Sequence, residues 1–176
     1  MRNDSAVESL TQVERLQLVN QFRILEKLDP DNADHYAESR EIIARGYSIL
    51  YEKVFHDVYE EMPIEDCKYV YDVLDLHRVL INSFNTLKDK QGLTEDDVKF
   101  HGFDGNNESK MLALAEYLQK DGLWTETLVG YLNSHSMTTK TYKRMLTKFK
   151  PIEEQILSSG TGRWILTAEQ IREIIS

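Results

Sequence analysis

In the stretch TQVERLQLVNQFRILEKLD the apolar residues Val13, Leu16, Val19, Phe22, Leu25 and Leu28 recur at every third position. That step lies close to the helical period and far from the alternation of a strand. Thr11 and Glu14 stand at capping-box spacing, where each side chain can satisfy an orphan N–H of the other residue. Asp29-Pro30 then restarts the chain, because Pro is tolerated at a first helical position. A second helix is expected over residues 31–59, with Tyr36, Ile43, Tyr47, Leu50, Val54 and Val58 along one side. Gly46 inside it weakens a helix by about 1 kcal/mol relative to Ala, so a kink or tight contact is expected there. A third runs over residues 64–87, with Val70, Leu74, His77, Ile81 and Phe84 in one stripe.

The second half reads as shorter pieces. TEDD opens a turn of helix, residues 107–120 form a helix ended by Gly122, residues 123–132 a short apolar helix, and residues 139–149 a basic one. Pro151 should break or kink the chain before IEEQIL. The last helix opens on a capping box from Thr167 to Gln170. Only VKFHGF and RWIL resemble strands, too little to organise a sheet. The fold class is therefore all-α and multihelical, with about seven to eight helices in a single domain of 1–176. LKDKQGL is the best internal boundary, giving subdomains 1–92 and 93–176 that share a core.

Composition narrows the function. With 41% apolar residues the chain can bury a core. A formal charge of −9 argues against general nucleic-acid binding, which needs Lys and Arg to neutralise phosphates. Residues 1–92 hold 18 acids against 11 bases, while residues 93–176 hold 12 against 10. The start MRNDSAVESL lacks the apolar core of a secretory signal, and no run reaches the roughly 20 apolar residues of a membrane span. One cysteine, Cys67, excludes an internal disulfide, so a cytoplasmic location without membrane contact is expected.

The segment FHGFDGNNESK looks most like a site. A calcium loop starting at Asp104 would need Gly at position six and Glu at position twelve, where Ser109 and Ala115 stand. No pair of glycines has P-loop spacing. Asp104 is instead expected to accept from the N–H of Asn106 or Asn107 as a helix cap, with ligand contact at that helix start as the alternative. GTG at 160–162 lacks the third glycine of a dinucleotide fingerprint, since Ile165 stands there.

No two of the five histidines lie three or four residues apart, and no CxxC occurs. Glu52, His56 and Glu60 share a face if their segment is helical, but an exposed acidic face explains that better than a metal. No metal site, cofactor or catalytic residue is assigned. Cys67, beside Glu65 and Asp66, reads as a core thiol, because neighbouring acids oppose a lowered pKa. In KTYKRMLTKFK, Lys140, Lys143, Arg144, Lys148 and Lys150 fall within roughly 160° of arc, opposite Tyr142, Met145, Leu146 and Phe149. This basic face is the candidate interaction surface. Its bland reading is a solvated face complementing the acidic first half, within or between subunits.

LDPDNADHYAESREIIARGY, FHGFDGNNESK, TYKRML and LTAEQIREII, in this order, resemble the YfbU family of bacterial proteins, from about Leu10 to Ile175. The resemblance implies an all-helical fold and supplies no catalytic residues. Some family members carry a helix-turn-helix segment, which implies a sensing or interaction role. No such segment is expected here, nor regulation by direct DNA contact. The expectation is a non-catalytic, homo-oligomeric helical domain that binds a protein or a small ligand in a sensing or regulatory role. The alternative is an enzyme acting on a small anionic ligand, with Arg45, Tyr47, His101 and Asp104 converging between subdomains.

Overall fold

The computed structural model describes residues 9–160 and 164–176. Among them the fold is all-α, with eight α-helices, two short 3₁₀ turns and no strand. Two compact units divide at Glu61 and Met62, not at the LKDKQGL turn. The third helix of the sequence reading packs with the elements that follow it, which moves the division about thirty residues toward the N-terminus.

In the first unit α1 (Gln12–Leu28) packs on α2 (Ala33–Arg45). The capping box at Thr11 and Glu14 forms as expected. Asp29 holds the turn, accepting from Asn32 Nδ2 at 3.0 Å and the Tyr36 hydroxyl at 2.9 Å. Glu26 pairs with Arg40 across the two helices. Val19, Ile42, Ile43 and Tyr51 form the buried centre, with Phe22 and Leu18 against it.

Of the six-residue apolar stripe on α1, only Val19 is buried. The reason is geometric: a three-residue step falls about 60° short of a full turn each time, so the five steps of this stripe spread it over about 300° of the helix. The middle of the stripe faces α2, and its ends rotate outward. Val13, Leu16 and Leu28 are 65%, 59% and 75% exposed, and Ile24 beside them 58%.

The helix expected over residues 31–59 is broken. Gly46 adopts φ +70° at the end of α2, a conformation that favours glycine, and a Cβ there would lie 2.6 Å from Arg15 Nη1. That guanidinium reaches the last carbonyls of α2, Ile43 and Ala44. A 3₁₀ turn (Ser48–Leu50) and the five-residue α3 (Tyr51–Phe55) follow. Glu52, His56 and Glu60 therefore do not share a helix face, since α3 ends before His56.

The second unit is built round α4 (Ile64–Thr86), which buries Val70, Val73, Leu74, Leu76, His77, Leu80 and Phe84. Apolar burial on several sides makes it the central helix, packed by α5 (Glu95–Val98), α6 (Ser109–Lys120), α7 (Thr139–Ser158) and α8 (Ala168–Ile175). Cys67 is half-buried, with Sγ 3.8 Å from the Met62 carbonyl. The capping box expected for the last helix forms at Thr167 and Gln170.

Residues 123–132 are not helical. Leu128 and Leu132 are buried, but Gln119 Nε2 donates to the carbonyls of Leu128 and Gly130, at 2.9 and 3.0 Å. Ten residues ending near a glycine with φ +76° are too few to sustain a helix against those side-chain bonds. Pro151 does not break α7, which runs on to Ser158. Buried Phe149 and Ile152 anchor both sides of the proline, and their packing outweighs the single backbone bond it forfeits.

Candidate functional site

FHGFDGNNESK folds as a loop joining α5 to α6. Gly102 has φ +87°, and a Cβ on it would overlap the Leu132 carbonyl oxygen at 1.7 Å. That approach lets Phe103 exchange backbone bonds with the second loop: its N–H donates to Leu132 O at 3.0 Å, and Ser134 N–H donates to Phe103 O at 3.1 Å. Asp104 is buried and accepts from Asn106 N–H at 3.3 Å and from the Asn107 side-chain amide. The Asn106 bond is the expected one, but it closes a turn ahead of α6 and does not cap it, since the N-cap of α6 is Glu108 and has no side-chain cap bond.

The residue that organises the loop is Glu108, missed by sequence reasoning. Its buried carboxylate accepts from five groups. The N–H of Asp104 lies at 2.8 Å, that of Thr138 at 2.9 Å and that of Thr139 at 2.7 Å. The Thr138 hydroxyl lies at 2.9 Å, and the Thr139 hydroxyl completes the set. Glu108 thus caps α7 from the start of α6 and places its charge at the positive end of the α7 dipole. Burial works to raise its pKa, but the bonds from Thr139, Asp104 and Thr138 outweigh it and leave the group at about 2. Local sequence offers only the Asp104 N–H, because the other four donors, on Thr138 and Thr139, lie about thirty residues away. With its lone pairs filled by the protein's own donors, the carboxylate has no role left but scaffolding.

Behind this loop sits an aromatic cluster of Phe100, Phe103 and Tyr142 round His77. His77 Nδ1 lies 2.9 Å from the Val98 carbonyl, which can only accept, so the proton sits on Nδ1. Nε2 is buried without a partner. Burial lowers the His77 pKa to about 4, with the Val98 bond opposing and nearby His101 adding to the shift. Tyr142 donates to Gly102 O at 3.2 Å, and burial raises its pKa as it does that of Tyr69.

The four residues considered for an anionic ligand are distributed over both units. Arg45 ends α2, where it lies 3.9 Å from Glu41, and Tyr47 follows it across Gly46. His101 and Asp104 lie on the α5–α6 loop of the second unit, and His101 Nε2 bonds the Asp96 carbonyl at 3.1 Å. No single compact unit holds all four. Among the described residues no group of three or more His, Cys, Asp or Glu side chains is placed to hold a metal ion.

The basic face of α7 is exposed at Lys140, Lys143, Arg144 and Lys150. Among the described residues none of its five cations is ion-paired. Lys143 lies 5.7 Å above the Tyr69 ring, and Lys148 donates to Ser176 O at 2.8 Å.

A cleft of about 640 Å³ opens between α4 and α7. Leu76, Val79, Leu146, Phe149 and Trp164 give it an apolar lining. Asp72, Asp75, Arg78, Asn82, Lys150 and Glu153 make it polar elsewhere. Arg78 is already engaged: it pairs with Glu126, lies 3.7 Å from Asp75 and sits 5.3 Å above Trp124. Trp124 Nε1 donates to Asp75 at 2.8 Å, and Tyr71 packs edge-on against the same indole. Among the described residues Asp72 has no hydrogen-bond or ion-pair partner; burial and the charge of Asp75 raise its pKa, opposed by Lys68. The sequence signal for this cleft was only the spacing of Asp72 and Asp75 on one helix face.

No helix among the described residues is long and apolar enough to cross a membrane. Residues 8–176 match the family model described as the YfbU domain, which takes in both compact units and every stretch that carried the resemblance. The chain belongs to the YfbU family.

Proposed function

We propose that this chain is a non-catalytic interaction domain that self-associates through the outward face of α1 and also binds a small ligand or protein in a sensing or regulatory role. The observation that carries the reading is the row Val13, Leu16, Ile24 and Leu28, each more than half exposed on a well-formed helix. Such a row is costly to leave in water and marks a contact surface.

A second copy of the chain suits it by symmetry. Asn20 lies at the centre of the row, with Leu16 and Ile24 four residues either side and Val13 and Leu28 beyond. Two α1 helices crossing antiparallel at Asn20 would set Leu16 against Ile24 and Val13 against Leu28, the self-matching pattern of a two-fold interface. With its polar neighbours the row offers roughly 600 Å² per copy, the low end of a stable dimer. The first unit is acidic, with 13 acids against 7 bases over residues 1–61, so the exposed cations of α7 supply complementary charge between copies.

Sedimentation velocity on the full chain tests this. A dimer that Ile24→Glu converts to monomer, while circular dichroism stays unchanged, is the expected result. High salt should weaken the dimer only modestly, because the apolar row carries most of the energy. A wild-type chain that remains monomeric at every concentration and ionic strength would remove the reading.

A further inference from the structure

The cleft between α4 and α7 lies wholly in the second unit and carries acidic groups that self-association does not use. At about 640 Å³ it has the size of a small-molecule site, with an apolar lining and a few polar groups. Its charges are not balanced. Arg78 is consumed by Glu126, Asp75 and the Trp124 ring. Among the described residues that leaves Asp72 and Glu153 without a hydrogen-bond or ion-pair partner, against Lys150 alone. Asp72 and Asp75 stand three apart on α4, so their carboxylates share one face and repel. Asp75 is already met by Arg78 at 3.7 Å and Trp124 Nε1 at 2.8 Å, so Asp72 is the carboxylate of the pair left without a cation, and burial and the charge of Asp75 raise its pKa.

We propose that this cleft binds a small amphipathic cation, its ammonium group at Asp72 and its apolar body along Leu146, Phe149 and Trp164. The inference rests on the small-ligand part of the reading above and not on self-association. It also reverses the expected sign of the ligand: an anion entering here meets two carboxylates. Trp164 and Phe149 add aromatic surface, which favours a cation further.

The test uses two probes with one body and opposite charge, 4-phenylbutylammonium and 4-phenylbutyrate, titrated into the full chain by calorimetry and tryptophan fluorescence. The ammonium probe is expected to saturate with Kd on the order of 1 mM or tighter, in line with what so small a ligand can gain. The carboxylate probe should bind at least about tenfold more weakly. Asp72→Asn should weaken the ammonium probe about tenfold without weakening the carboxylate, and wild-type affinity should rise with pH as Asp72 ionises. Equal binding of the two probes, an Asp72→Asn chain that binds the ammonium unchanged, or no saturation by it would each overturn the proposal. Sedimentation of the same samples separates the two readings: ammonium binding by a monomer removes only the dimer, and an intact dimer without binding removes only the ligand.

Discussion

Replacing Glu108 by Gln keeps the size of the side chain and removes its charge. In the folded protein this carboxylate is buried, bonded to five donors, and titrates at about 2 against an ordinary 4.5. The difference corresponds to about 3 kcal/mol of stability. Because the folded pKa is the lower one, the unfolded chain binds the extra proton between the two values. The contribution is therefore complete above pH 4.5 and disappears as pH falls through 2. Glu108→Gln should lose most of it at neutral pH, about 2–4 kcal/mol, since an amide nitrogen would face N–H donors it cannot accept from. Urea unfolding of both chains at pH 7, 4.5 and 3 measures the effect. The gap between wild type and variant should be widest at pH 7 and narrow as the solution is acidified below 4.5. A variant within about 0.5 kcal/mol of wild type at pH 7, or a gap that stays constant from 4.5 to 3, would refute the assignment of Glu108 as the cap of α7.

Two further outcomes follow from the same unit. His77 should stay neutral in the folded protein down to about pH 4, as followed by its ring resonances in NMR, and a midpoint near 6.5 would contradict its burial. Since its folded pKa is depressed, it withdraws up to about 3 kcal/mol of stability as pH falls from 6.5 to 4, above the window of Glu108. Gly102→Ala should cost more than about 3 kcal/mol, because the new methyl meets Leu132 O at 1.7 Å. Gly92→Ala is its control: φ is +86° there too, but nothing lies within 4 Å, so conformational strain alone, about 1 kcal/mol, should appear in denaturant midpoints. Equal costs at the two glycines would deny the close approach of the loops.

The elements legible from residues alone were those whose cause is local. Thr11 with Glu14 and Thr167 with Gln170 form their boxes because both partners lie within one turn. The stripe read for α4 is buried at Val70, Leu74, His77 and Phe84, while burial on its other sides at Val73, Leu76 and Leu80 comes from the helices packed round it. The α1 stripe misled because spacing by threes resembles the helical period over two steps and departs from it over five. The helix over residues 31–59 failed at Gly46, whose αL conformation becomes decisive only once Arg15 of another helix closes on it. Residues 123–132 failed because Gln119 holds their carbonyls from outside the segment.

The functional region divides along the same line. FHGFDGNNESK drew notice for its glycines and its Asp, and those do shape a loop, but its binding capacity is spent internally on Glu108 and Asp104. The groups that remain unspent, Asp72 in the α4–α7 cleft and the outward row of α1, carry no motif, because neither a cavity between two helices nor a surplus apolar face needs a fixed residue order. In a chain without metal-ligand or nucleophile spacing, the informative residues are therefore those whose ordinary physical needs the fold leaves unmet. A carboxylate in a crevice beside another carboxylate is such a residue, and so is a leucine turned to water on a helix already packed on its other side. Each sets its own requirement, a cation for the first and an apolar surface for the second, and the two can be tested separately because they lie in different compact units.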